Sequence, residues 1–217
     1  TARIPQYIDL WFEKEGEIYI PRSLDIGIPV EQDLRARGHK VDFTFKGTLR
    51  PHQIPAVEDL TKTEGGILQA GCGTGKTVMS LAALANVGVT TLVLVHKEFL
   101  MNQWSERIQE FLGEEAGIIR GDTWDWKGRK IVIGMLQTLY SRREQVPDEL
   151  LNYFGLTISD EVHRVAAATW QQVVTMFPSY RRWGLTATTK RSDNLQGIFF
   201  SHIGSVIHKL KAPEVKP

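Results

Sequence analysis

Two stretches of this chain carry residue types at spacings suited to chemistry on a phosphate ester. The first is Ala70-Gly71-Cys72-Gly73-Thr74-Gly75-Lys76-Thr77. Glycines let a backbone turn its amides towards phosphate oxygens. A helix starting at the end of such a loop adds the positive end of its dipole. Lys76 can then reach the β- and γ-phosphates of a nucleoside triphosphate, and the Thr77 hydroxyl can bind Mg2+. Gly71, Gly73, Thr74, Gly75, Lys76 and Thr77 are therefore the expected nucleotide-binding set. Ala70 stands where the strict pattern has glycine, one small residue for another. Cys72 has no partner at nucleophile–base spacing and reads as filler of the loop.

The second stretch is Leu156-Thr157-Ile158-Ser159-Asp160-Glu161-Val162-His163, an apolar strand ending in two carboxylates. Asp160 suits the holding of Mg2+ through water. Glu161 suits the orienting and deprotonation of an attacking water. An Asp-Glu pair alone is common on surfaces; the glycine-rich loop upstream gives this one a chemical reading.

Those residues need a sheet whose strands end along one edge. From Gly47 onward, apolar runs bounded by turns alternate with helical segments. The runs are 66–68, 91–95, 131–135, 156–159 and 182–185, rich in Val, Ile and Leu. Between two of them Leu100, Trp104, Ile108 and Phe111 recur at helical spacing. Strand–helix alternation predicts right-handed crossovers and an α/β fold with a mostly parallel sheet. Ahead of it, residues 10–20 read as two short strands around Lys14-Glu15-Gly16, closed by Pro21. Residues 30–38 read as a short charged helix. The expected organisation is a small N-terminal accessory module over 1–45 and the phosphate-binding domain over 46–217.

Composition excludes more than it assigns. No apolar run approaches the roughly 20 residues that span a bilayer. The first residues lack the basic start and apolar stretch of a signal peptide. One cysteine permits no internal disulfide. A cytoplasmic protein without a membrane partner is expected. A formal charge of +1 does not announce nucleic-acid binding. The start at Thr1 and the run Lys209-Leu210-Lys211 near the end read as those of a piece of a longer protein.

The string Asp160-Glu161-Val162-His163 resembles the DEAH-type box of superfamily 2 helicases, with Val in place of Ala. Gly184-Leu185-Thr186-Ala187-Thr188 looks like helicase motif III, followed here by Thr189 where the family often has Pro. The resemblance gives His163, Thr186 and Thr188 roles in coupling the ATP state to nucleic-acid contact, with His163 grouped beside Lys76, Asp160 and Glu161. Leu49-Arg50-Pro51-His52-Gln53 is similar to the adenine-reading Q-motif region, so Gln53 would pair with the adenine edge and Arg50 support it. Residues 94–104 look like motif Ia and 134–139 like motif Ib. They imply nucleic-acid contacts by His96, Lys97, Gln137 and Thr138. Ile20-Pro21-Arg22-Ser23-Leu24, the motif Ia stretch and residues 184–194 resemble the XPB/UvsW-like subgroup.

The likeness covers about residues 18 to 210. It implies the first RecA-like domain of an ATP-dependent DNA helicase or branch-migration motor, with ATP and Mg2+ as cofactors and DNA, more than RNA, as partner. In that family the arginine finger belongs to a second RecA-like domain. The residues after Thr188 are too few for another sheet, so that domain is expected C-terminal to this chain. Two other readings fit the same motifs: a double-stranded DNA translocase subunit of a restriction or remodelling complex, and a nucleotide-gated DNA-binding module without catalysis. A small-molecule kinase would leave the Thr-Ala-Thr and Asp-Glu-Val-His strings without a role.

Overall fold

A computed structural model describes residues 11–14, 16–24, 27, 29, 32–161, 167–188 and 196–210. The core is an eight-stranded sheet assembled from β3 (Gly65–Ala70), β4 (Thr91–Val95), β5 (Gly117–Arg120), β6 (Thr123–Trp124), β7 (Ile131–Met135), β8 (Leu156–Asp160), β9 (Arg181–Thr186) and β10 (Val206–Leu210). Their spatial order is β10-β3-β9-β8-β4-β7-β5-β6. Every neighbouring pair is parallel except β5 with β6. All five apolar runs expected as strands are strands. The short β5, β6 and β10 carry no comparable apolar run and were not anticipated.

The sheet is covered on both faces, and its central strand β4 is accordingly apolar on both, with no alternation of apolar and charged residues. On β4, Val93 and Val95 join one core while Leu92 and Leu94 join the other. The first face carries α1 (Ile54–Lys62), α2 (Lys76–Val87) and α3 (Glu98–Leu112). The second face carries α4 (Leu136–Ser141), α6 (Ala167–Met176) and α7 (Gln196–Ile203), with the short α5 (Asp148–Leu151) beside them. The helical spacing around Leu100 and Trp104 is α3, whose buried residues are Leu100, Met101, Trp104, Ile108 and Leu112.

Ahead of the sheet, β1 (Phe12–Lys14) and β2 (Glu17–Tyr19) form the expected antiparallel hairpin, with Glu13 opposite Ile18. The helix expected over 30–38 is not found in the described residues 32–38, which are non-helical. Ala36 makes a parallel bridge with Ser179. Its N–H donates to the Pro178 carbonyl at 2.7 Å, and its carbonyl accepts from Tyr180 N–H at 2.8 Å. Arg35 and Arg37 lay their guanidinium groups on the Tyr180 ring, 4.4 and 3.5 Å from its centroid. Unsatisfied backbone groups at the start of β9 outbid the segment's modest helix propensity. The strip continues along the core: Thr90 N–H donates to the His39 carbonyl, and Phe43 and Phe45 pack on the first core.

Candidate nucleotide site

Sheet topology builds the site. β3 runs into the glycine-rich loop, β8 ends in the acidic pair, and β9 lies between them. Gln69 of β3 is level with Thr186 of β9, and Asp160 of β8 with Leu185. Three motifs far apart in the chain therefore end side by side.

In the loop, Gly73 and Gly75 have φ of 76° and 89°, a region that favours glycine. A Cβ at Gly75 would also stand 2.5 Å from Gln53 Nε2. Helix α2 starts at Lys76, so its first turn faces the loop. Lys76 Nζ donates to the Ala70 carbonyl at 3.0 Å and lies 3.6 Å from Glu161 Oε1. The two side chains keep only 12% and 17% of their surface, so this is an ion pair largely shielded from water. The Thr74 hydroxyl donates to the Gly71 carbonyl at 2.7 Å and braces the turn.

Asp160 is buried, and its Oδ2 accepts from the Trp104 indole N–H at 2.9 Å. Burial pushes its carboxyl up to about 6; the Glu161 charge adds to the rise, while the Trp104 hydrogen bond and the Lys76 charge oppose it. Glu161, one residue on, has φ of 50°. A left-handed backbone at a non-glycine residue costs energy and clusters at functional sites. A cavity of about 620 Å³ opens here, lined by Gly73, Gly75, Lys76, Thr77, Asp160 and Glu161 among others.

The other expected residues divide. His96 and Lys97 follow β4 and line this same cavity. Gln137 donates through Nε2 to the His96 carbonyl at 2.9 Å, and Thr138 accepts from Gly121 N–H at 2.9 Å. Those two side chains thus tie neighbouring loops together. Gln53 is buried beside the loop, donating to the Thr74 carbonyl at 2.9 Å and accepting from Arg50 N–H at 2.9 Å. Neither Gln53 nor the exposed Arg50 lines the cavity. Thr186 is buried; its hydroxyl donates to the Thr188 carbonyl at 2.5 Å, and Thr188 N–H points back at that hydroxyl at 3.3 Å. The motif III turn is closed by its own hydroxyl. His163 lies outside the described residues. The contact of Trp104 with Asp160 was missed, because helical spacing marks Trp104 only as core. The available signal was its ring N–H, which in a dry core needs an acceptor.

Mg2+ is tested by its donors. Among the described residues no group of three or more His, Cys, Asp or Glu could hold a metal ion. One carboxylate and one hydroxyl beside a phosphate loop suit Mg2+, which keeps several waters and shares substrate phosphates. Thr77 and Asp160 fit that demand. Among the described residues no helix is long and apolar enough to cross a membrane.

A parallel sheet with a phosphate loop after one strand and an acidic pair at the end of the next strand but one is the fold of a RecA-like P-loop domain. The chain belongs to the ResIII family, described as type III restriction enzyme, res subunit, which matches residues 46–191. It is 31% identical over 210 residues to a putative ATP-dependent RNA helicase of Acanthamoeba polyphaga mimivirus, covering 94% of this chain and 38% of that protein. It is 34% identical over 167 residues to the DNA 3'-5' translocase XPB2 of Sulfurisphaera tokodaii, covering 77% of this chain and 37% of that one. Among solved structures, the UvsW helicase from bacteriophage T4 superposes with a TM-score of 0.60 at 18% identity, over 80% of this chain and 64% of that chain. This chain thus spans less than two fifths of the two sequence relatives.

Proposed function

We propose that this chain is the ATP-binding domain of an ATP-dependent DNA helicase or branch-migration motor, in which ATP hydrolysis drives movement on DNA. The observation that carries the reading is the ion pair of Lys76 with Glu161, 3.6 Å apart beside the buried Asp160. In this arrangement Lys76 exchanges its bond to the Ala70 carbonyl for the phosphates when nucleotide enters. Glu161, no longer held by the ammonium, accepts a proton from the attacking water. Thr77 and Asp160 would hold Mg2+, whose charge would offset that of the phosphates. Gly71, Gly73, Thr74 and Gly75 supply backbone donors, with Gln53 and Arg50 on the adenine side. His163, Thr186 and Thr188 couple this chemistry to nucleic acid held by His96, Lys97, Gln137 and Thr138. A second RecA-like domain closes the cleft from the other side.

The family's description favours a second reading, a duplex translocase subunit of a restriction complex. The named relatives include both a DNA translocase and an RNA helicase, so the sugar is decided by assay. The first test is nucleotide binding by the chain and by Lys76→Ala. Lys76 opens α2 outside the two apolar cores, so the variant should stay folded while affinity for Mg2+–ATP drops at least tenfold, on the scale of a lost charge-assisted contact. Unchanged affinity would remove the phosphate-loop assignment. In the whole protein, displacement of a duplex strand separates unwinding from translocation, and stimulation of ATPase by DNA against RNA separates the partners.

A further inference from the structure

Trp104 lies in the second turn of α3 with its side chain fully buried, and its indole N–H ends on Asp160 Oδ2 at 2.9 Å. An indole nitrogen only donates, so this bond requires an acceptor oxygen and is strongest towards an ionised carboxylate. Asp160 is 6% exposed, so water competes poorly for that oxygen. One of its two carboxylate oxygens is thereby committed to α3, while Asp160 also lines the phosphate cavity. The contact joins residues 56 positions apart. It links the acidic strand to the helix that opens directly after His96 and Lys97, which line the same cavity.

We infer that Trp104 is a positioning residue of the nucleotide site: it holds the Asp160 carboxylate through one oxygen, which would leave the other for the Mg2+ that accompanies nucleotide, and it makes that orientation depend on the seat of α3. The inference rests on the nucleotide-binding reading given above. A freely turning aspartate would sample several rotamers, and the indole selects one before the ligand arrives. A ligand that shifts the first turn of α3 moves the carboxylate with it.

The test is Trp104→Phe, which keeps an aromatic ring in the core and removes the donor. Mn2+ binding is read by electron paramagnetic resonance on the chain with a non-hydrolysable ATP analogue, beside binding of the analogue without metal. The expected result is a rise in the Mn2+ dissociation constant on the order of tenfold, the weight of one hydrogen bond to a charged group. Metal-free binding should be unchanged, and Trp104→Phe should add nothing in an Asp160→Asn background. An equal Mn2+ affinity in the folded variant overturns the inference. If the unaltered chain binds no nucleotide, the reading of the site falls and this inference falls with it. A second measurement needs no change at Trp104: the chain has six tryptophans, hence six indole N–H resonances in a nuclear magnetic resonance spectrum. One resonance that moves with Mg2+–nucleotide and is displaced in Asp160→Asn supports the link. Six that stay still while nucleotide binds overturn it.

Discussion

Glu161 is, among the described residues, the one non-glycine with a left-handed backbone, and it is also the residue that faces Lys76. A backbone of that kind costs on the order of 1–3 kcal/mol, which the surrounding β8 pairing must offset. Glu161→Gln keeps the shape and removes the proton acceptor. In the whole protein this variant should bind ATP as before and lose turnover by about 10²–10⁴, the weight of general-base catalysis. A near wild-type rate would assign the base elsewhere. Asp160→Asn should instead raise the Mg2+ concentration needed for nucleotide binding. A different residue sets an acid limit on stability. His202 is buried, and burial, with the Arg182 charge adding, lowers its pKa from 6.5 to about 4. Between those values the unfolded chain binds the proton and the folded one does not, so stability falls as pH drops from 6.5 towards 4. His202→Phe removes this dependence. Thermal midpoints across pH 4–7 should fall less steeply for the variant than for the parent.

The element that joins these residues is β9. It pairs with the loop strand β3 on one side and the acidic strand β8 on the other, and it ends in Thr186. The Thr186 hydroxyl ties the turn to Thr188 on both sides, donating to its carbonyl and accepting from its N–H. That gives the Thr-Ala-Thr segment a fixed shape at the end of β9, from which the proposed coupling to the nucleotide site would run. Replacing both threonines by alanine in the whole protein should spare ATPase while strand displacement falls severalfold. Equal loss of both activities would point to a structural role for the turn alone. The N-terminal strip shows the same dependence on neighbours: its bridge at Ala36 is made with the residues just before β9.

At the scale of the whole molecule, the proposed reading makes this domain one wall of a nucleotide cleft. Measured as it stands, it should bind Mg2+–ATP weakly and hydrolyse it slowly, with little stimulation by DNA. In the two-domain arrangement proposed above, the second domain would shield the γ-phosphate from water and donate an arginine to the transition-state charge. Such an arginine is worth roughly 10³–10⁵ in rate in related enzymes. Binding to DNA should weaken steeply with salt, since contacts to phosphate release counterions. The measurement is ATPase and strand displacement for this chain and for a longer version carrying a second RecA-like domain. Robust DNA-stimulated unwinding by the shorter chain would place the arginine within it or in a second copy.

What the amino-acid order determined alone was local. Glycines at 71, 73 and 75 with Lys76 and Thr77 specify a phosphate loop wherever they follow a strand. Runs such as Thr91–Val95 and Ile131–Met135 declare buried strands because every residue must shed water on both faces. The string Asp160-Glu161 was legible for the same reason, as a polar end to an apolar run. Tertiary structure decided which of these ends meet. The insertion of β9 between β3 and β8, the hydrogen bond from Trp104 to Asp160 and that from Gln53 to Thr74 all span long stretches of chain. No local spacing encodes them. The segment 32–38 shows the cost of reading propensity without partners: its charges suit a helix, yet backbone groups beside the sheet's start bind Ala36 in a bridge instead. Local preference is worth tenths of a kcal/mol per residue, and an unsatisfied buried backbone group costs more, so the long-range bond prevails.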